Sequence, residues 1–178
     1  MARNIEIKAR IAGIEALLPA VLAVATEGPR EIRQDDSFFR CANGRLKLRD
    51  FGDGRGELIF YQRADQAGPK TSHYVITPTA DPAGLRSALR QAWGETGRVR
   101  KRRTLVLAGR TRIHLDEVEG LGAFLELEVV LADGEAAETG EREAHDLMRQ
   151  LGIAPADLVE GAYVDLLVSA AAGPAGGG

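Results

Sequence analysis

The sequence predicts an antiparallel α+β domain, and three observations carry that prediction. Eight segments alternate apolar with polar residues at period two, most of the connectors between them are of turn length, and only three or so stretches carry apolar residues at helical spacing. Successive side chains of a strand point to opposite faces, so period two places one face in a core and the other in a polar setting.

The first strand is "NIEIKARI" (4–11), where Ile5 and Ile7 alternate with Asn4, Glu6 and Lys8. Residues 14–25 follow as a short helix, with Leu17, Leu18, Val21, Leu22 and Ala25 at helical spacing and Pro19 either marking its first turn or kinking it. "REIRQDDSFFR" (30–40) is the second strand. Asn43-Gly44 then signals a hairpin, because both residues tolerate positive φ, and "RLKLRDF" (45–51) returns with strict alternation. The turn "GDGRG" leads to "ELIFYQR" (57–63), and the loop "ADQAGPK" to "TSHYVITPT" (71–79), a β-branched and aromatic strand that Pro78 ends.

Asp81 as N-cap and Pro82 at the first helical position open a helix through Leu85, Leu89 and Trp93 that stops at Gly94. Three strands come next, at 99–107, 110–118 and 123–131, joined by the short connectors "AG" and "EGLG". A helix near 135–151 presents Ala144, Leu147, Met148 and Leu151 on one face, with Gly152 as its stop. One domain over 1–170 is expected, and the Gly- and Ala-rich segment 171–178 has nothing to bury and reads as a flexible tail.

Composition narrows the classes. A hydrophobic fraction of 44% and a charged fraction of 28% are those of an ordinary globular chain, neither disordered nor membrane-spanning. The net charge of -3 lacks the basic excess of proteins that hold nucleic acid by general phosphate neutralisation. No nucleic-acid partner is expected, and any anion site must come from local arrangement. Cys41 is the sole cysteine, so no internal disulfide or multi-cysteine zinc site can form, and a reducing cytoplasm is the natural compartment. The apolar stretch at 17–25 is far short of a bilayer span, and the charges within the first eight residues suit no signal peptide. A soluble, cytoplasmic protein is expected, with no membrane partner.

Eight strands can close into a barrel whose interior chemistry is set by alternate residues. The charged parity comprises Asn4, Glu6, Lys8 and Arg10; Arg45, Lys47 and Arg49; Tyr61 and Arg63; Lys101 and Arg103; Arg112, His114 and Asp116; Glu126 and Glu128. Two architectures satisfy it. An open sheet can bury its apolar face beneath helices and turn its charged face to solvent, or the sheet can curl so that charged faces meet across a polar tunnel while helices cover the apolar outside. Alternation alone favours the open sheet, and the distribution of sign shifts the balance toward the tunnel. A solvated face mixes acids and bases, whereas "RLKLR" and "RKRR" are purely basic and "ELE" purely acidic. Such segregation is repulsive unless a ligand neutralises it. A triphosphate suits the basic strands, and a hard cation such as Mg²⁺ suits the acidic ones.

At this point "NIEIK", "GRLKLR", "YQR", "KRR", "RIHLDEVEGLGAFLELEVV" and "GAYVDLL" resemble, in order and over residues 3 to 168, the CYTH domain of triphosphate tunnel metalloenzymes. Within that family the chain is most similar to class IV adenylyl cyclases, the CyaB-like proteins. The resemblance implies an eight-stranded antiparallel β-barrel, the triphosphate tunnel, with helices packed outside. It also implies a divalent cofactor, Mg²⁺ or Mn²⁺, and a small-molecule triphosphate substrate. The implied activities are cyclisation of ATP to cyclic AMP, or hydrolysis of inorganic triphosphate, thiamine triphosphate or an RNA or nucleotide triphosphate.

Carried over residue by residue, Glu6, Glu126 and Glu128 are the implied metal ligands, with Asp116 a nearby carboxylate that joins them. Lys8, Arg45, Lys47, Arg49, Arg63, Lys101, Arg103 and Arg112 are the implied phosphate contacts, and Glu6, Lys8 and Arg63 the implied catalytic set, Lys8 as an orienter or base for water. Asn4 stands where the family signature has its first Glu. That departure puts a second metal in doubt and motivates the alternative of a non-catalytic module binding polyphosphate or nucleotide. A closed barrel has no edges that need a partner, so either a monomer or a homodimer is compatible.

Several residues stay open on their own chemistry. His114 falls on the inward parity, where a phosphate or metal contact and a structural hydrogen bond are equal readings. His73 and His145 read as surface residues. Tyr163 and Asp165 either close the tunnel's end or simply pack, and Arg100 and Arg102 should point outward. "GDGRG" lacks the following Gly-Lys-Ser/Thr and is a turn, not a phosphate loop.

Overall fold

The computed structural model describes residues 2–64 and 67–173. In chain order these form β1 (Ala2–Arg10), α1 (Ile14–Ala23), β2 (Glu27–Phe39), β3 (Arg45–Asp50), β4 (Gly56–Arg63), β5 (Lys70–Thr79), α2 (Pro82–Trp93), β6 (Glu95–Ala108), β7 (Thr111–Val118), β8 (Gly122–Val130), α3 (Ala137–Gln150), a single 3₁₀ turn (Pro155–Asp157) and α4 (Tyr163–Ala172). The strands pair antiparallel in the order β1-β5-β4-β3-β2-β6-β7-β8, and β8 pairs back with β1. The sheet therefore closes into a barrel, which removes its edges.

Closure assigns the two faces. The largest apolar cluster lies outside the ring, where Ile5, Ile7 and Ala9 of β1, Ile113 and Leu115 of β7 and Leu125, Leu127 and Val129 of β8 pack against Val21 of α1 and Ala144, Leu147 and Met148 of α3. A second cluster joins Phe38, Val99, Val118 and Phe124 to Ala162, Tyr163 and Val164 at α4, and a third joins Phe39 and Leu48 to Leu89 of α2. The hydrophobic driving force thus acts between sheet and helices, leaving the inward parity to polar groups.

Local chemistry sets the helix ends. Asp81 Oδ1 accepts from the Gly84 N–H at 2.9 Å, Pro82 occupies the first turn, and Gly94, at φ 77°, ends α2. Gly140 of α3 faces β1 closely enough that an added Cβ would lie 2.7 Å from the side chains of Ile5 and Leu131, so its missing side chain lets the helix seat on the strand.

Four details differ from the sequence reading. β2 and β6 begin earlier, at Glu27 and Glu95, because they pair with each other from Glu27–Leu107 to Phe39–Glu95. Asn43 does not take positive φ; among the described residues only glycines do, and Gly44 makes that turn at φ 148°. Pro78 lies inside β5, on the part beyond Tyr74 that β1 does not reach, where a missing N–H is tolerated. Helix α4 was not expected. "YVDLLVSAAA" is apolar nearly throughout and shows little stripe, but Asp165 caps it by accepting from the Ala162 N–H at 2.9 Å. It runs to Ala172, within the segment read as tail, and 174–178 lie outside the described residues. Among the described residues no helix is long and apolar enough to cross a membrane.

Candidate active site

The ring encloses a cavity of about 330 Å³. Period two on each strand aims Glu6 and Lys8 of β1, Lys47 and Arg49 of β3, Arg63 of β4, Lys101 and Arg103 of β6, Arg112 and His114 of β7, and Glu126 and Glu128 of β8 into it. At one end Tyr163 of α4 and Ala162 just before it also line it.

Three of the cavity's carboxylates, Glu6, Glu126 and Glu128, share one wall, while Asp36 of β2 and Glu57 of β4 lie on the other side. Glu6 sits opposite Glu128 and Lys8 opposite Glu126 across the β1–β8 pair, and His114 sits opposite Glu126 across β7–β8. One ligand atom each from His114, Glu126 and Glu128 lie within 4.8 Å of one another. His114 Nδ1 is 3.6 Å from Glu126 Oε2 and 3.8 Å from Glu128 Oε1, yet is buried with no hydrogen-bond partner. Burial, aided by Arg103, lowers the His114 pKa, which favours the neutral imidazole a metal requires. This donor set fits a divalent cation: two partly buried carboxylates with Glu6 beside them suit a hard ion, and an orphaned imidazole nitrogen completes it. Burial alone would raise the Glu126 pKa, but Lys8 and Lys101, with Arg103 adding to them, outweigh it and hold the carboxyl well below the usual range.

The cations are held by acids of their own. Asp36 of β2 accepts from Lys47 Nζ at 2.8 Å and from Arg49 Nε and Nη2, each at 2.8 Å. Against the upward push of burial, these two cations keep Asp36 far below its ordinary pKa. Burial and the neighbouring Arg49 bring Lys47 down to about 8 despite Asp36. Asp116 of β7 is 0% exposed and accepts from Lys101 Nζ at 2.9 Å, from Arg103 Nε and Nη2 at 2.7 and 2.6 Å, and from the Tyr163 hydroxyl at 3.0 Å. Arg103 also reaches Glu126 Oε2 at 2.8 Å, and Arg112 reaches Glu128 Oε2 at 2.8 Å. The cation rows are thereby oriented before any ligand arrives.

The α4 end is shut by backbone and ring. Lys8 Nζ donates to the Gly161 carbonyl at 3.0 Å, lies 3.3 Å from Glu126 Oε1 and sits 4.0 Å over the Tyr163 ring. Burial lowers its pKa to about 8, with Arg63 and Lys101 adding to the effect and Glu126 opposing it. Arg63 donates to Glu6 Oε2 at 2.6 Å and to the same Gly161 carbonyl at 3.2 Å.

Ten of the twelve expected site residues thus line one cavity, and two do something else. Arg45 clasps Asp165 of α4 through two hydrogen bonds of 3.0 and 2.6 Å, so it ties down the helix that closes the tunnel. Asp116, expected to join the metal ligands, spends both oxygens on Lys101, Arg103 and Tyr163 and stands outside the His114–Glu126–Glu128 group. Arg100 and Arg102 are exposed as expected, paired with Asp35 and Glu117. His73 is partly and His145 fully on the surface.

Sequence reasoning missed Asp36, whose signal was the inward parity Ile32, Gln34, Asp36, Phe38 running through an acidic doublet of which one member must face in. It also missed Lys70, buried at 2% exposure opposite Glu6, because the strand begins one residue before the β-branched run.

Comparison with known proteins gives a consistent fold. A family model, the CYTH domain, matches residues 2–163. The PH1012 protein from Pyrococcus horikoshii OT3 is similar with a TM-score of 0.81 and 23% identity over 92% of this chain and 99% of that one. HpAC1 from Hippeastrum, whose structure is described as revealing a dominant triphosphatase activity, is similar with a TM-score of 0.68 and 15% identity over 96% of each chain. The S. pombe Pct1 RNA triphosphatase has a TM-score of 0.53 and 14% identity over 85% of this chain and 84% of that one. At these identities the likenesses show a shared fold. No curated protein matches the chain.

Proposed function

The chain belongs to the CYTH domain family, and from that premise we propose that it is a metal-dependent enzyme acting on the triphosphate of a nucleotide or other small molecule. The observation that carries this reading is the enclosed, densely charged interior: Glu6, Glu126, Glu128 and His114 gather on β1, β8 and β7, and Lys47, Arg49, Lys101 and Arg103 line β3 and β6 inside one closed ring. Seven cations line the cavity against the five carboxylates Glu6, Asp36, Glu57, Glu126 and Glu128, a net positive charge that suits an anionic ligand.

Glu6, Glu126 and Glu128, with His114 beside them, would hold Mg²⁺ or Mn²⁺, which when bound neutralises charge on the phosphoryl oxygens. Lys47, Arg49, Lys101, Arg103 and Arg112 bind the remaining oxygens, and Asp36 and Asp116 keep the first four of these aimed inward. Since α4 closes one end, a substrate enters phosphate first and its terminal phosphoryl group comes to rest near Lys8 and Arg63. That placement favours hydrolysis at the terminal phosphorus over cyclisation: Lys8 and Glu126 orient a water in line with the bond that breaks, and Arg63 stabilises charge on the oxygens.

A panel of ATP, inorganic triphosphate and thiamine triphosphate with Mg²⁺ or Mn²⁺, products resolved by chromatography, tests the reading. Orthophosphate release supports it, cyclic AMP with pyrophosphate would move it to a cyclase, and tight binding without turnover would favour the non-catalytic module.

A further inference from the structure

One aromatic ring of α4 serves two strands at once. Lys8 Nζ of β1 lies 4.0 Å from the centroid of the Tyr163 ring, and Lys101 Nζ of β6 lies 4.7 Å from the same centroid. In the sheet those strands are separated by β8 and β7, so no strand pairing brings the two ammonium groups together. The ring does so from the closed end of the tunnel. It has little freedom of its own. Its hydroxyl donates to Asp116 Oδ2 at 3.0 Å, and Phe124 meets it edge-on with 5.0 Å between centroids and 63° between planes. The next residue, Val164, seats where Gly97 of β6 has no side chain; an added Cβ there would fall 2.4 Å from Val164 Cγ2.

Both lysines are buried, and both share their acids with other groups. Glu126 also accepts from Arg103 and belongs to the candidate metal group, and Asp116 also holds Arg103. A carboxylate that serves a metal has less charge to give Lys8. The other two contacts of Lys8, the Gly161 carbonyl at 3.0 Å and the ring, both come from the segment that opens α4. That carbonyl is divided again, since Arg63 donates to it at 3.2 Å. An aromatic face attracts an ammonium group by about 2 kcal/mol when both are desolvated, and it does so without a formal charge. A carboxylate in the same place would bind the lysines more strongly but would repel the phosphate they are to receive.

We propose that Tyr163 is a positioning residue that acts through its ring and not through its hydroxyl, holding Lys8 and Lys101 together at the spacing that receives the phosphate chain. The inference rests on the triphosphate reading above, which assigns Lys8 to the water and Lys101 to the phosphate oxygens. The hydroxyl bond to Asp116 aligns the ring and adds stability, but the electron-rich face is what the two cations meet.

Four variants separate the ring from the helix that carries it. Tyr163→Phe keeps the ring and loses the hydroxyl; Tyr163→Leu and, independently, Tyr163→Met keep apolar bulk and lose the ring. Val164→Ala loosens the packing of the same helix and leaves the ring in place. For each, titration calorimetry of inorganic triphosphate without divalent cation gives affinity, initial rates on the triphosphate that the parent turns over give kcat and KM, and urea unfolding verifies the fold. The expected result is that Tyr163→Leu and Tyr163→Met lose roughly tenfold in affinity and roughly tenfold or more in kcat, while Tyr163→Phe and Val164→Ala stay within about threefold of the parent in both. Losses in Tyr163→Phe or Val164→Ala equal to those in Tyr163→Leu, or parent-like values in either folded variant that lacks the ring, would overturn the role of the ring while leaving the triphosphate reading in place. A parent chain that neither binds nor turns over a triphosphate would overturn both.

Discussion

Tyr163 donates its hydroxyl to Asp116 Oδ2 at 3.0 Å, so the helix that shuts the tunnel is bonded to the same carboxylate that holds Lys101 and Arg103. Closing the end and aiming the cations are one piece of architecture. Tyr163→Phe removes one of four bonds to Asp116 and should lower stability by about 1 kcal/mol. Asp116→Asn leaves two buried cations short of their counter-charge and should cost about 3–5 kcal/mol, measured by urea unfolding.

Lys47 supplies a pH dependence. Burial and Arg49 place its pKa near 8, so the cation is present below that pH and lost above it. Above about pH 7.5 the terminal phosphate of an organic triphosphate is already mostly ionised, leaving the protein to set the trend. Affinity for an organic triphosphate should therefore fall as pH rises from about 8 to 9, and Lys47→Arg, whose charge does not titrate there, should lessen the fall, with Lys8, also near 8, carrying the remainder. The unfolded chain binds the extra proton between about 8 and 10.5, so the Lys47 contribution to stability rises with pH across that window, opposite to the trend in affinity.

The Arg45–Asp165 clasp is partly exposed and should contribute about 1 kcal/mol or less to global stability. Its effect should be local. Asp165→Asn weakens both the clasp and the cap on the Ala162 N–H, so the amides of α4 should exchange hydrogen faster while those of β7 and β8 keep their protection.

Arg102 points outward and pairs with Glu117 on the neighbouring strand. Arg102→Ala should change stability by no more than about 0.5 kcal/mol and leave triphosphate affinity as it was, and neither chain should retain duplex DNA on a gel.

The barrel was legible because period two survives in nearly every strand and because like charges on "RLKLR" and "FLELEVV" make little sense in open water. The acids that serve the cations were harder to see. Asp36 adjoins Asp35, and only the pairing of β2 with both β3 and β6 determines which carboxylate faces Lys47 and which faces Arg98. Asp116 has the inward parity of a metal ligand, and nothing local says that Lys101, Arg103 and Tyr163 converge on it from two other elements. Arg45 obeys the same parity as Lys47 and Arg49 but stands at the strand's α4 end, where the unexpected helix supplies its partner. Alternation reports the face a side chain takes, and depth along the tunnel depends on closure of the whole sheet.

The most direct measurement is metal-dependent turnover of a triphosphate by the parent chain, Glu126→Gln and Glu128→Gln, alongside titration of Mn²⁺ into each. The parent should bind Mn²⁺ and release product, and both variants should lose metal affinity and roughly a hundredfold or more of turnover while keeping a cooperative unfolding transition. Undiminished turnover in both folded variants would contradict a metal–triphosphate site on that wall.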